Sequence, residues 1–471
     1  MRLFSSRLLT PSTVPERSII GRSVIANHPR ARISDSYDIG RVVGSGVRGT
    51  VSIAKAKRNG RSCALKVVKV RGSRDSRAAV REAATHAELD HPHIARVYES
   101  FLSRSRYCMA LELCTGGDLF EALEKQGFFR ERDAHHVFKQ IMSAVCYLHN
   151  SNFAHRDLKL ENCLLTKKGV PLSSNDVKII DCDMMTRFTT GVPSMTTLVG
   201  SPCYTAPEVF SGRYDEKCDV FSCGVMLYCM LCGRLPFKSD DDARVASVAF
   251  EPDDLASVSA AAVSLMRGTC ARQAVSRPSS SEVLDSAWLL GSGAPSAPRL
   301  PASEIVESLG SFSRLTEVQR EALCHVAYNV DDVEFPDIRE AFKRVDSNSD
   351  GKLARKELLA LSSSSAREAP LSDEVPPVGE AMGYTEFLAA MLHRRELPEA
   401  ACRAAFGALD HDDDGAVCAD DIVGASASGD ATPPETSQGE GALSFADFRA
   451  MLGPKSSGSR SGPRRVRHGG A

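Results

Sequence analysis

Net charge is nearly absent from this chain: 58 lysines and arginines stand against 60 aspartates and glutamates in 471 residues. No field of one sign covers it, so neither a nucleic acid nor a charged membrane surface is expected as a partner. Long apolar runs are scarce as well. The stretch from Val220 to Leu235 is strongly apolar but stops at Gly233, too short to span a bilayer, and no transmembrane segment is expected. The 15 cysteines are odd in number and scattered, which argues for reduced intracellular thiols and against a secreted disulfide framework. Cys229 and Cys232 have redox or metal spacing, yet they lie inside the apolar stretch and read as core. Position 2 is arginine, so the sequence as given lacks a myristoylation glycine and a cytoplasmic protein is expected.

What the chain does contain centres on His155-Arg156-Asp157-Leu158-Lys159-Leu160-Glu161-Asn162. An aspartate there can accept the proton of an incoming hydroxyl, and an asparagine five residues later can help hold Mg²⁺ against nucleotide phosphates. Lys159, between them, can place positive charge by the transferring phosphoryl group. Upstream, Gly44, Ser45, Gly46 and Gly49 form a glycine turn between two strand-like runs, where backbone can approach phosphates closely. Lys66, in Cys63-Ala64-Leu65-Lys66, lies in a β-rich run ending at Val70 and can reach the α- and β-phosphates, while Glu82, in a helical stretch from Ser76 to Glu88, is its natural ion-pair partner. Downstream, Val177 to Asp181 reads as a short strand ending in a Mg²⁺ ligand, because a hard cation on phosphates needs carboxylate oxygen.

Ala206-Pro207-Glu208, Asp219 to Gly224 and Arg277-Pro278 follow in order. With Leu89 to Ile94, Glu112 to Phe120 and Tyr214 to Asp219, these motifs resemble the calcium-dependent protein kinases of plants and protists, within the calmodulin-dependent group. The resemblance implies an ATP-using serine/threonine kinase in which Glu208 and Arg277 pair. It also implies a hinge holding adenine at Glu112 and Cys114 behind a Leu111 gatekeeper, with Val43, Val51, Ala64 and Leu164 around the ring. Asp118 and Glu161 match positions that meet basic residues upstream of the acceptor serine or threonine, so Arg-bearing protein substrates are expected. Arg156 could pair with a phosphate on Ser194, Thr196 or Thr197.

A second module carries calcium chemistry. Asp346 to Glu357 fits the twelve-residue EF-hand loop: Asp346, Asn348 and Asp350 supply side-chain oxygens, Gly351 the turn, Lys352 a carbonyl and Glu357 a bidentate carboxylate. Asp410 to Asp421 repeats the pattern through Asp410, Asp412, Asp414 and the Ala416 carbonyl, but ends in the shorter Asp421. Two further hands, 375–386 and 436–447, lack competent ligands and are expected to pair with the first two. The expected fold is therefore an α+β two-lobed kinase, 35–290, followed by an all-α tetra-EF-hand domain, 331–452. A disordered basic arm (1–34) precedes it and a flexible basic tail (453–471) follows.

Between the modules, 291–330 is a linker with two amphipathic stripes: Ile305, Val306, Leu309 and Phe312, then Val318, Ala322, Leu323 and Val326. The resemblance implies that this junction restrains the kinase until Ca²⁺ opens the hands, making a monomeric one-chain switch that uses ATP, Mg²⁺ and Ca²⁺. The chain departs from the family in its magnesium triplet, Asp181-Cys182-Asp183, where phenylalanine and glycine are usual at the second and third places. His86 replaces a usual aliphatic member of the same packing stack. Both changes suggest looser packing around Glu82 and a lower basal rate, and leave a catalytically silent calcium-binding scaffold as the alternative.

Overall fold

The computed structural model describes residues 26–27, 33–46, 49–103, 105–245, 247–291, 300–331, 334–364, 381–410, 414–418, 421 and 442–452. Most of the basic arm, the 453–471 tail, the linker at 292–299, Asp412 and the first halves of the 375–386 and 436–447 hands lie outside them.

The β-branched and glycine-punctuated N-terminal third forms a sheet. Its strands are β1 (Tyr37–Gly46), β2 (Gly49–Ala56), β3 (Ser62–Lys69), β4 (Val97–Leu102) and β5 (Arg106–Leu111). They pair antiparallel in the order β4-β5-β3-β2-β1, and the two-residue strand Ala26–Asn27 adds in parallel at the β4 edge. Helix α1 (Gly72–Ala87) packs on this sheet and carries Glu82.

The second lobe is built on helices that turn most of their apolar residues into one core. Helices α2 (Leu119–Gln126), α3 (Glu131–Asn150), α4 (Lys217–Cys232) and α5 (Ala260–Thr269) surround it. Short strands β6 (Cys163–Leu165) and β7 (Val177–Ile179) pair antiparallel and bring Asn162 and Asp181 to one end. Asp118 caps α2 by accepting from Glu121 N–H at 2.8 Å, and Gly127 closes it at φ +80°. In α4, Val225, Met226, Leu227 and Met230 are fully buried; at about 1.5–3 kcal/mol for each large apolar side chain, this helix anchors the lobe. Cys229 is buried in the same core and bears no disulfide.

The C-terminal helices are α6 (Ala302–Ser313), α7 (Glu317–Tyr328), α8 (Pro336–Val345), α9 (Arg355–Ser364), α10 (Tyr384–Leu392), α11 (Glu399–Leu409) and α12 (Phe445–Leu452). Ile305, Leu309, Phe312, Ala322, Leu323 and Val326 share one core with Phe342, Phe387, Phe406 and Phe448. The boundary placed at residue 330 therefore does not separate two cores: both amphipathic stripes are already spent inside this domain. Short antiparallel bridges join the loops in pairs, Leu353 to Met382 and Val417 to Leu443.

This domain lies against both kinase-like lobes. Arg61 donates to Asn329 Oδ1 at 2.8 Å, Arg96 to the Val330 carbonyl at 3.2 Å, and the Tyr328 hydroxyl to the Val97 carbonyl at 2.8 Å. Asp176 holds Lys343 at 3.0 Å and also pairs with Arg339. Burial works against the Asp176 carboxylate, but Lys343, Arg339 and His93 outweigh it and keep it well below the usual range. Among the described residues no helix is long and apolar enough to cross a membrane.

Candidate active site

Between the two lobes lies a cavity of about 570 Å³, lined by Gly44, Ser45, Gly46, Gly49, Val51, Ala64, Lys66, Glu112, Leu164 and Asp181 among others. That volume suits a nucleotide-sized ligand. A Cβ on Gly46 would meet no protein atom within 4 Å, so this backbone is open towards something other than the protein. A Cβ on Gly49 would overlap the Val67 carbonyl oxygen, so only glycine fits there.

Lys66 Nζ donates to Asp181 Oδ1 at 2.7 Å and to Asp183 Oδ1 at 2.5 Å, while Glu82 Oε1 stands 3.8 Å away. Burial works against the Lys66 ammonium, but Asp181, Asp183 and Glu82 together raise its pKa above the ordinary lysine value. Glu82 and Asp183 also share a hydrogen bond. Burial, then Asp183, pushes the Glu82 carboxyl up to about 9. Asp183 is held below the aspartate range: burial opposes this, and the Glu82 hydrogen bond and Lys66 overcome it.

Asp157 sits in a closed triangle. Ser201 Oγ donates to its Oδ1 at 2.9 Å, Lys159 Nζ lies 3.2 Å from its Oδ2, and Lys159 Nζ donates to Ser201 Oγ at 2.9 Å. Asn162 Nδ2 reaches the Asp157 carbonyl at 2.8 Å, and Ile180 N–H donates to the Asn162 carbonyl at 2.9 Å, which places the start of the magnesium triplet beside Asn162. Arg156 takes φ +69°, a strained conformation for a side-chain-bearing residue. Fully buried Asp219 holds it there, accepting from the N–H groups of His155 and Arg156 at 2.8 Å each and from His149 at 3.0 Å.

A protein kinase domain profile matches residues 37–289. Calcium-dependent protein kinase 5 of Plasmodium falciparum is 30% identical over 420 residues, covering 86% of this chain and 73% of that protein. This chain belongs to the calcium-dependent protein kinase family. Calcium-dependent protein kinase 4 of Plasmodium berghei is 28% identical over 89% of the chain and 86% of that protein. In rice, calcium-dependent protein kinase 9 is 31% identical over 71% of the chain and 59% of its own length.

In this kinase the structure brings Lys66, Asp157, Lys159, Asp181 and the glycine turn to one cavity, with Asn162 buried directly behind. Two expected adenine contacts are not part of its wall. Val43 is 49% exposed because two register shifts in the β1–β2 pairing, on either side of Val42, turn neighbouring residues outward together. Cys114 is half-buried beyond the cavity. Met109, Ala95, Ile180 and His86 line the wall instead. His86 is fixed by a 2.7 Å hydrogen bond to the Ala95 carbonyl, and burial holds its pKa down to about 4.

The expected Glu208–Arg277 pair is present, with Arg277 Nη2 2.8 Å from Glu208 Oε2. The expected Lys66–Glu82 ion pair is present at 3.8 Å, and Asp181 and Asp183 lie closer to the same ammonium. Arg156 is already engaged by the Met184 carbonyl at 2.7 Å and the Tyr214 hydroxyl at 3.1 Å, and that hydroxyl donates to the Thr197 carbonyl at 2.6 Å. Ser201 and Asp219 as supports of the catalytic loop were not read from sequence. Ser201 gives no local signal, because it stands 44 positions along the chain from Asp157 and reaches it only through the fold.

In the 346–357 loop, Asp346 accepts from Asp350 N–H at 3.0 Å and Gly351 N–H at 2.8 Å, Asp350 from Lys352 N–H at 2.9 Å, and Glu357 from Ala354 N–H at 2.9 Å. The second loop repeats this through Asp410, Asp414, Ala416 and Asp421: Asp414 N–H and Gly415 N–H reach Asp410 at 3.1 Å each, and Asp421 accepts from Cys418 N–H at 2.8 Å. Burial, with Asp350 and Glu357 adding, pushes the Asp346 carboxyl up to about 7. A cation among these oxygens would relieve that crowding, so the donor set fits a hard ion.

Proposed function

We propose that this chain is a calcium-regulated serine/threonine protein kinase that moves the terminal phosphoryl group of ATP to a protein hydroxyl. The observation that carries the reading is the convergence of Lys66, Asp157, Lys159 and Asp181 on one glycine-roofed cavity. It favours catalysis over a silent scaffold, which needs no organised proton acceptor.

Asp157 is poised to accept the proton of the incoming hydroxyl, its carboxylate oriented by Ser201 and Lys159 and its backbone fixed through Asp219. Lys159 then faces the phosphoryl group in flight, and Lys66 grips the phosphates behind it. Asn162 and Asp181 are the residues that would hold Mg²⁺, which when bound neutralises phosphate charge. The exposed Glu161 and the α2-capping Asp118 lie on the same side: burial and the neighbouring Asp118 and Asp157 push the Glu161 carboxyl up. This acidic edge suits substrates with arginine ahead of the acceptor.

The regulatory half is an EF-hand domain paired through 346–357 with 375–386 and 410–421 with 436–447. Asp346, Asn348, Asp350, Lys352 and Glu357 would hold Ca²⁺ in the first loop, and Asp410, Asp412, Asp414, Ala416 and Asp421 in the third. The repeated hydrogen-bond pattern of the two loops supports this, as does the bridge joining each to its partner. The first loop also touches the kinase directly. Ser143 Oγ donates to the Ser349 carbonyl at 3.4 Å, and Gly351 packs on His91 and Tyr147 so closely that a Cβ would stand 2.6 Å from the histidine ring. Calcium binding there reshapes a surface on which the catalytic lobe rests.

The test is phosphate transfer from ATP to an arginine-bearing peptide across a Ca²⁺ titration in Mg²⁺. Transfer that rises with Ca²⁺ supports the whole reading; a flat non-zero rate removes the regulation, and no transfer at any Ca²⁺ leaves the scaffold. A matched peptide without the arginine tests the acidic edge.

A further inference from the structure

Asp183 stands where this kinase family ordinarily has glycine, so the family pattern assigns its carboxylate no role. The backbone decides where that carboxylate goes. Asp181 adopts a left-handed conformation, φ +63° and ψ +62°, and Cys182–Met184 follow as one tight 3₁₀ turn. Cys182 is thereby driven into the core of the helical lobe at 5% exposure, and Asp183 emerges facing α1 and Lys66 of β3.

Three carboxylates surround Lys66, and they are not equivalent. Glu82, at 3.8 Å, is beyond hydrogen-bond range and interacts as a loose ion pair. Asp183 is at 2.5 Å and its side chain is 8% exposed, against 22% for Glu82 and 29% for Asp181. The shorter and better buried pair is the stronger one, because less water screens it. Asp181 also lies close, at 2.7 Å, but it is the carboxylate that Mg²⁺ would draw upon.

We propose that Asp183, rather than Glu82, is the positioning residue for Lys66, with Glu82 left as the looser, outer partner of the same ammonium. This rests on the kinase reading above. The consequence is a relocated anchor: the lysine is held by the magnesium triplet itself, on a turn nailed into the core by Cys182, and depends less on the placement of α1.

The test uses the full chain and the variants Asp183→Asn, Asp183→Gly and Glu82→Gln, each checked for a parent-like thermal midpoint. Lys66 is acetylated with a small amine-reactive ester in the absence of nucleotide and followed by peptide mass spectrometry. The same proteins are assayed for kcat and for KM towards ATP. Both Asp183 variants should raise the Lys66 labelling rate about tenfold and lower kcat by a similar factor, with KM moving less, as loss of one charge-assisted hydrogen bond predicts. Glu82→Gln removes only the looser ion pair at 3.8 Å and should change both quantities several-fold less. The proposal is overturned if Glu82→Gln matches or exceeds Asp183→Asn in labelling, or if Asp183→Gly turns over faster than the parent. Labelling needs no phosphotransfer. A parent without kinase activity but with the stated labelling order would sink the function and leave this inference standing.

Discussion

Asp90 and Thr385 lie 295 residues apart and are joined twice: the Thr385 hydroxyl donates to Asp90 Oδ1 at 2.6 Å and its backbone N–H to Oδ2 at 2.8 Å. Helix α10 has Gly383 at its N-cap, with no side chain to satisfy the first amides. The kinase half therefore supplies the cap that a neighbouring aspartate or serine usually gives. Asp90→Ala should destabilise the docked arrangement by about 1 kcal/mol, within the range for a lost cap. Hydrogen exchange at the start of α10 reads this directly; unchanged protection of Thr385 would show that water replaces Asp90 without loss.

Asp176 is a stronger tie, because it serves two cations, Arg339 at 5% and Lys343 at 23% side-chain exposure. Asp176→Ala leaves both half-desolvated without their shared anion and should cost about 3 kcal/mol. We expect a lower unfolding midpoint and a larger radius of gyration in small-angle scattering, as the C-terminal domain comes away from the lobes. An unchanged scattering curve would mean that the contacts at Arg61, Arg96 and Tyr328 suffice.

Lys66→Met should lower kcat/KM on peptide by a factor of about 100 or more, the scale for removing one preorganised charge from a transition state. Among the described residues no hydrogen bond or ion pair joins Lys66 to the C-terminal loops, so calcium binding measured by calorimetry should be retained. A variant as active as the parent would place the catalytic site elsewhere.

Glu357→Gln tests the calcium arm separately. The carboxylate closes the first loop, accepting from Ser347 N–H at 2.9 Å and Ala354 N–H at 2.9 Å. Exchanging it for an amide removes the bidentate ligand and should raise the Ca²⁺ concentration for half-maximal activity on the order of tenfold. A chelator should return the parent to its basal rate. Coinciding calcium curves for variant and parent would assign the switch to the other loop.

Acid should loosen the fold through three buried histidines. Burial lowers His86 to about 4 and His91 to about 3, and carries His93 well below the ordinary histidine value. The unfolded chain takes up these protons near pH 6.5 and the folded one does not, so the unfolded state binds more protons in between. Stability is thus fully present above about pH 6.5 and falls as pH drops towards 4, by up to about 1.4 kcal/mol per unit and per histidine. His86→Leu should flatten the fall of the thermal midpoint between pH 6.5 and 4.5. An identical slope in the variant would exclude His86 from it.

Much of this molecule is legible in local residue order. Asp157, Asn162 and the glycine turn announce phosphoryl transfer because their spacing is dictated by chemistry along a few residues of backbone. The 346–357 and 410–421 loops are legible for the same reason, since oxygen-bearing side chains at alternate positions around a glycine are a pattern confined to twelve residues of sequence. Both amphipathic stripes could be read from their period, but not what they cover, because periodicity reports that an apolar face needs a partner and never names it.

The amino-acid order by itself determined the family, the chemistry of the cleft and the calcium-type loops. Only the tertiary structure decided that Asp183 lies closer to Lys66 than Glu82 does, that Val43 faces water, and that Asp90 caps a helix of the other half. Each of these depends on contacts between distant segments, set by a backbone twist, a register shift or a docking surface. Hydrophobic pattern and motif spacing carry no record of such distances, since they describe neighbours along the chain and not across it.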